Sequence, residues 1–391
     1  MNTAICAQDF LIESTQQIGT LSGCYQFYES NGKQLGSKTC RVPGEFEHQQ
    51  YLLMSSAGER IHAKTIARVI REVQNKIRPV VLVNDSMDRD QLIEDLEEYG
   101  VNLENVSVVH VEHDSKWARD FGPTTLLSSN SVHLLDWLYS EDRKYDDDVT
   151  IHLSRMSNTH AEFSPLEIEG GNLISNGNGV IVTSEKFLRR NQENNIGKVG
   201  FELTRQLGAV DLVVLESLVG EETEHVDMFV TFTSPNSVVV GSYDPSVDPI
   251  NAEVLDRNAD LLSKIRTRTG PMKVFRIPMG TRHDECWRTY TNCIYANGIL
   301  LVPSYGEHDD PKVLGEVIAT YKRLLPGWKV ETVDASDLIV DGGALRCASL
   351  NITRLKHPIE STPRDKVPDP WELLQPDFEA EFLGLHQIQS R

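Results

Sequence analysis

No stretch of the 391 residues approaches the roughly 20 consecutive apolar residues that a membrane-spanning helix requires, so no transmembrane anchor is expected. Positive charge is also scarce. Against 58 Asp and Glu stand 38 Lys and Arg, a net charge of −20. A surface of that sign repels nucleic acid and anionic lipid and draws in cations. Neither nucleic acid nor a membrane is therefore an expected partner, whereas a small cationic substrate is. The six cysteines, Cys6, Cys24, Cys40, Cys286, Cys293 and Cys347, include no C-x-x-C pair, which argues against a structural zinc site. Met1 to Gln17 has neither a basic head nor a long apolar core and does not look like a secretory signal. The expectation is a cytoplasmic protein with free thiols. A disulfide among Cys6, Cys24 and Cys40 stays open, as does homo-oligomerisation.

What the chain does have is a regular pattern. Residues 1–41 read as a short N-terminal extension, with a hairpin expected around Asn31-Gly32 between Cys24–Tyr28 and Lys38–Val42. Arg60–Lys76 carries Ile61, Ile66, Ala67, Ile70 and Val73 at helical spacing. Pro79–Val83 and Val106–Val111 read as buried strands, with a helix Asp88–Tyr99 between them that Gly100 can cap. Four strand–turn–strand segments follow, breaking at Ser128–Ser131, Asn176–Gly179, Ser234–Ser237 and Asn297-Gly298. Three of them lead into a helix and a further strand: Ser184–Leu207 then Asp211–Leu215, Asn251–Arg268 then Met272–Ile277, and Pro311–Leu325 then Trp328–Val333. Repeating segments start at 117, 169, 225, 290 and 342, with gaps of 52, 56, 65 and 52 residues. That spacing is close to a propeller-blade period, but with a helix in each unit. Tyr139–His160, polar and containing Asp146-Asp147-Asp148, reads as an exposed loop in place of a helix. After Pro363 the tail is proline-rich and acidic, with a short helix expected at Trp371–Leu374.

Polar residues gather where each unit begins: Trp117-Ala118-Arg119-Asp120, Glu169-Gly170-Gly171-Asn172, Glu224-His225-Val226-Asp227, Tyr290-Thr291-Asn292 and Gly343–Cys347. If the repeats close on an axis, these positions converge there. Packing alone asks for no such set. Cys347 follows two glycines and a cation, Arg346, and a nearby positive charge favours the thiolate that attacks carbon. A buried apolar cysteine is the bland alternative. His225 and Asp227, two apart, would share one face of a strand, where a histidine beside a carboxylate is poised for proton transfer. A hydrogen-bonded core histidine would look the same. Asp120 could equally be a turn residue paired with Arg119, Glu169 a turn residue before two glycines, and Asn292 a strand-end cap.

Taken together, Trp-Ala-Arg-Asp-x-Gly-Pro, Glu-Gly-Gly-Asn, His-Val-Asp, the Tyr-x-Asn hairpin and Gly-Gly-Ala-Leu-x-Cys resemble the agmatine deiminase and Porphyromonas-type peptidylarginine deiminase family. Arg41–Glu47 is similar to that family's opening segment, and the resemblance runs over roughly residues 42–355. It implies the guanidine-modifying fold, a five-bladed α/β propeller, over a catalytic domain at 42–360 with a C-terminal tail at 361–391. It also implies Cys347 as nucleophile, His225 as general acid and base, Asp120 and Asp227 as guanidinium clamps, and Trp117, Glu169 and Asn292 beside the substrate. The implied reaction takes agmatine to N-carbamoylputrescine and ammonia with no metal or organic cofactor. Arginine or peptidylarginine deimination is the alternative.

Two positions depart from the agmatine deiminase pattern: Arg346 stands where histidine is usual and Met228 where asparagine is usual. Arg346 could read a substrate carboxylate, which agmatine lacks, or pair internally with Asp341 or Glu169. Three further readings remain. One is a metal-dependent hydrolase using His110, His113, Asp114, His225, Asp227, His283, Asp284 and Glu285. The others are an amidinotransferase on the same fold and a silent binding scaffold.

Overall fold

In the computed structural model of the chain, residues 2–7, 10–16, 21–29, 40–58, 60–140, 142–191, 196–280, 282 and 284–370 are described. The architecture is mixed α/β, and one pattern of antiparallel pair, helix and parallel strand recurs. In the first unit Thr124–Leu127 pairs antiparallel with Val132–Leu138, helix Lys144–Ser157 crosses over, and His160–Glu167 returns parallel to Val132–Leu138. In the second, Ile174–Ser175 and Val180–Ser184 lead through helices Glu185–Arg190 and Ile196–Leu207 to Asp211–Leu215. The third runs Val230–Ser234, Ser237–Ser242, helix Pro249–Ser263, Lys273–Pro278. The fourth runs Ile294–Tyr295, Ile299–Ser304, helix Pro311–Leu324, Lys329–Asp334.

The fifth unit is assembled from both halves of the chain. Ser349–Ile352 pairs antiparallel with Tyr51–Ser55, after which helix Arg60–Val73 leads to Arg78–Val83, parallel to Tyr51–Ser55. Helix Ser86–Glu98 and strand Ser107–His110 extend this sheet by one strand. The central strands are buried along their length, Tyr51–Ser55 and Val180–Ser184 without exception, because helices cover them as in parallel sheets generally. At the fourth hairpin Asn297 and Gly298 take φ of 48° and 98°, the left-handed pair that a tight turn matched to strand twist needs. The Asn297 side chain then bonds Gln49 N at 2.8 Å and Gln49 O at 2.7 Å, tying the fourth unit to the fifth.

Two expectations are corrected here. Residues 144–157 form an α-helix, not a loop. Val149 and Leu153 are fully buried on its inner face, and the aspartates are bound within the fold. Asp146 accepts from Asp114 N at 2.8 Å and Ser115 Oγ at 2.8 Å, and Asp147 from Tyr139 N at 3.0 Å. Carboxylates in a first turn also favour the helix dipole. Near the N-terminus, Gly23–Glu29 pairs with Phe10–Gln16 and, over residues 23–25, with Asp211–Leu215, while Arg41 bridges to Leu127, so among the described residues no hairpin joins Gly23–Glu29 to residues 40–42. The Asn31-Gly32 turn itself, Trp371–Leu374 and the Cys6 side chain lie outside the described residues. Among the described residues no helix is long and apolar enough to cross a membrane.

Candidate active site

The loop or short turn that opens each unit carries the polar residues singled out above, and hydrogen bonds link these openings in a cycle. Gly171 N donates to Asp120 Oδ1 at 2.9 Å, joining the second opening to the first. The Glu169 and His225 side chains join the second to the third at 2.7 Å. Thr291 Oγ1 donates to Asp227 O at 3.1 Å, and Asn292 Nδ2 to Cys347 Sγ at 3.1 Å. Arg119 N donates to Cys347 O at 3.2 Å, returning to the first opening.

Cys347 stands just before strand Ser349–Ile352 and is 4% exposed. Asn292 holds it on two sides: its Nδ2 meets Sγ, while its Oδ1 accepts from Arg346 N at 2.9 Å and Cys347 N at 3.2 Å. Asp227 Oδ2 is 3.7 Å from Sγ. Burial, then the negative charges of Asp227 and Asp120, push the thiol well above its ordinary range. The cation expected from Arg346 does not bring the thiol down. Its guanidinium is taken up by other groups, with Nη1 donating to Asp227 Oδ2 at 2.8 Å, Nη2 to Leu173 O at 3.3 Å, and Nε to Glu45 Oε2 at 3.1 Å. Neither internal partner expected for it is used. Asp341 pairs with Lys116, and Glu169 with Lys186.

His225 is 3% exposed and lies between two carboxylates. Its Nε2 is 2.7 Å from Glu169 Oε2 and its Nδ1 3.7 Å from Asp120 Oδ1. Burial opposes the imidazolium, but Asp120, Glu169 and Asp227 outweigh it and raise the histidine pKa. The two carboxylates divide unequally. Burial raises both, but Glu169 has the close contacts to His225 and Lys186 and ends below its ordinary range. Asp120, farther from His225 and facing Glu169 and Asp227, ends above it. Asp227 is completely buried and its Oδ1 has no hydrogen-bond partner, although a buried carboxylate oxygen normally has one. Trp117 packs against Gly343 on the same side as Cys347, since a Cβ on Gly343 would lie 2.6 Å from the indole and 2.9 Å from Cys347 Cβ.

All eight residues singled out therefore meet at one place, with Arg346 behind the carboxylates. Two members were missed. Glu45 bonds both Arg346 and Arg119, the latter at 2.7 Å. Lys186 contacts Glu169 and lies 3.4 Å from His225 Nε2. Glu45 stood in a recognisable opening segment, but nothing local gave it a role. Lys186 lies in the first turn of a helix, where a lysine usually meets solvent. The residues proposed for a metal disperse. His113 Nδ1 is bonded to Val111 O at 2.8 Å, Asp114 accepts from Tyr145 N at 2.9 Å, and Asp284 pairs with Arg288. His283 lies outside the described residues.

The crowding yields one expected result. A Cβ on Gly171 would come within 2.5 Å of His225 Nδ1, 2.7 Å of Asp120 Oδ1 and 3.2 Å of Asp227 Oδ2. Gly171→Ala should therefore displace all three side chains and cut turnover by roughly two orders of magnitude, as small misplacements at reacting groups do. The circular dichroism spectrum should stay that of the parent. Parental kcat in the variant would show that these groups do not have to stand where they do.

A family model described as Porphyromonas-type peptidyl-arginine deiminase matches residues 41–352. An agmatine deiminase of Pseudomonas putida (strain ATCC 47054, KT2440) is 26% identical over 283 residues, spanning 62% of this chain and 76% of its own. Among solved structures, the agmatine deiminase of Enterococcus faecalis superposes with a TM-score of 0.71 at 18% identity, covering 81% of this chain and 96% of that one. The C. jejuni agmatine deiminase with substrate bound gives 0.70 at 20% identity, covering 81% and 97%. These structures share the mixed α/β fold.

Proposed function

This chain belongs to the Porphyromonas-type peptidyl-arginine deiminase family, and from that premise we propose that it is a guanidino hydrolase that converts agmatine to N-carbamoylputrescine and ammonia. The observation that carries the reading is the juxtaposition of a buried thiol, a histidine with raised pKa and two carboxylates, one with a free buried oxygen. A guanidinium is planar and cationic, and paired carboxylates meet its N–H groups in bidentate fashion. Asp227 Oδ1 and Asp120 are the acceptors offered here.

The chemistry follows from the charges. In the resting site Cys347 is a thiol, because burial and two nearby anions oppose its ionisation. A guanidinium between Asp120 and Asp227 neutralises that opposition, and the thiol proton is released to solvent. The thiolate attacks the central carbon. His225, whose neighbouring carboxylates favour the imidazolium, gives its proton to the departing nitrogen as the C–N bond breaks, releasing ammonia. Neutral His225 then takes a proton from water as hydroxide adds to the thiouronium carbon. The C–S bond breaks as the hydroxyl proton passes to the departing sulfur, which restores the Cys347 thiol, and the ureido product leaves. We also read the five units as blades of one α/β propeller at residues 42–360, supported by the cycle of hydrogen bonds between their openings.

The substrate choice rests on the relatives named agmatine deiminase and on Arg346. Its nitrogens bond Glu45, Asp227 and Leu173, so it has no role as a reader of a substrate carboxylate. In our reading it positions Asp227. The test is to incubate the protein with agmatine, free arginine and an arginine peptide and to measure ammonia and ureido product. Agmatine should be preferred. Citrulline formation with agmatine untouched would overturn the substrate while keeping the chemistry. Transfer to an added amine, giving a new guanidine without ammonia, would favour an amidinotransferase.

Resting thiol protonation has its own signature. A group whose pKa is raised by burial and anions becomes reactive only as pH climbs through that raised value. The rate of Cys347 alkylation by iodoacetamide should therefore keep increasing past pH 9, the ordinary thiol pKa. It should level off at lower pH in Asp227→Asn, which lacks the nearer anion. A plateau below pH 9 in the parent would mean that the thiolate is already formed at rest.

A further inference from the structure

We propose that a small cavity behind the catalytic carboxylates binds a chloride-sized monovalent anion. The cavity has a volume of about 60 Å³, and Glu45, Arg119, Thr125, Ser175, Arg346 and Asn351 are among its lining. Cys347, His225 and Asp120 are not, so it is distinct from the place where the guanidinium sits.

Three of its lining residues carry a buried side-chain atom with no hydrogen-bond partner: Arg119 Nη2, Thr125 Oγ1 and Asn351 Oδ1. These residues are only 4%, 5% and 8% exposed. A buried donor left unsatisfied costs about 1–3 kcal/mol, more for a charged group, and a native fold rarely leaves three around one cavity without an occupant. One water needs about 10–15 Å³ of such space, so the cavity holds more than one particle. The unpartnered donors decide which kind. The ion pairs around it balance, Arg119 and Arg346 against Glu45 and Asp227, but Arg119 Nη2 is a charged donor left without a partner. Two of the three unsatisfied atoms are able to donate. Burial and the neighbouring Arg346 charge also hold the Arg119 guanidinium down to about 10, a strain that a nearby anion relieves. An anion on Arg119 and Thr125, with a water at Asn351 Oδ1, satisfies every group. Val42, Glu45, Thr124 and Thr353 at the rim are only partly buried, which gives ions from solvent a way in.

The site is coupled to the chemistry through contiguous ion pairs. Arg119 Nη1 holds Glu45 at 2.7 Å, Glu45 holds Arg346 at 3.1 Å, and Arg346 holds Asp227 at 2.8 Å. An anion that shares Arg119 leaves Glu45 more fully to Arg346 and so firms the arginine that orients Asp227. Chloride should therefore tighten guanidinium binding.

The test has a structural and a solution arm. Crystals of the full chain grown with bromide in place of chloride should give an anomalous peak in the cavity beside Arg119. In solution at fixed ionic strength, chloride should raise the thermal midpoint and lower KM several-fold relative to gluconate, which is too large for the cavity. Thr125→Val removes one donor without touching an ion pair and should lose both effects. Waters alone in the cavity would overturn the proposal. So would a bromide peak with no difference between chloride and gluconate, which is binding at crystal concentration only. The bromide and thermal readouts do not depend on the substrate being agmatine, so a failure of the functional reading is distinguishable from a failure of this one.

Discussion

Cys347→Ser should abolish turnover while leaving the fold intact. The sulfur is buried and lies against Asn292 Nδ2 and Asp227 Oδ2, contacts that a hydroxyl can approximate, so packing changes little. The chemistry changes more. A serine hydroxyl ionises far less readily than a thiol, and the carboxylate oxygen beside residue 347, Asp227 Oδ2, is already bonded to Arg346. His225 is engaged by Glu169 at 2.7 Å and Asp120 at 3.7 Å. Attack therefore depends on the ionisation of the nucleophile itself, which oxygen cannot supply here. A loss of at least about 10³-fold in kcat is expected, within the range seen when a nucleophile is removed. Acid quench of the parent during turnover should show by mass spectrometry a covalent adduct on Cys347, absent from the variant. Near-parental activity in Cys347→Ser would end the covalent mechanism.

The second large effect is expected at Asp227. This carboxylate is completely buried, one oxygen is bonded to Arg346 at 2.8 Å, and the other has no partner. Asp227→Asn keeps the shape and removes the charge. Taking one member from a buried ion pair costs about 3–5 kcal/mol. If that cost falls on the bound guanidinium, kcat/KM drops on the order of 10²–10⁴-fold, since each 1.36 kcal/mol is tenfold. Arg346 keeps Glu45 as partner in the variant, so the fold should survive, and the melting temperature checks this. A fully active Asp227→Asn would remove this residue from substrate contact and leave Asp120 as the sole clamp.

Arg346 illustrates how neighbours in sequence mislead about neighbours in space. Next to Cys347 in the chain, it reads as a thiolate-stabilising cation or a reader of substrate carboxylates. Its side chain instead crosses to Glu45 and Asp227, 301 and 119 residues away. The thiol is raised rather than lowered, first by burial and then by the carboxylates of Asp227 and Asp120. Asp146-Asp147-Asp148 misleads in the same way. Three consecutive carboxylates read as a solvated loop, yet Asp146 is fully buried and anchors the chain at 114–115.

By itself the sequence determined what depends on local order. The turn pairs at Asn176–Gly179 and Asn297-Gly298, the apolar strands and the amphipathic helices fell where their spacing placed them, because turn geometry and periodicity are properties of a few adjacent residues. The recurrence of five polar openings was likewise readable, and with it the list Asp120, Glu169, His225, Asp227, Asn292 and Cys347. Only the tertiary structure decided how those openings meet. It set His225 between two carboxylates, left Asp227 Oδ1 free, and joined Ser349–Ile352 to Tyr51–Ser55 across some 300 residues of chain. It also brought in Glu45 and Lys186, whose partners are fixed by packing between units. A pKa or an ion pair in a buried site is set by every charge within a few ångströms, and those charges come from segments that no local pattern connects.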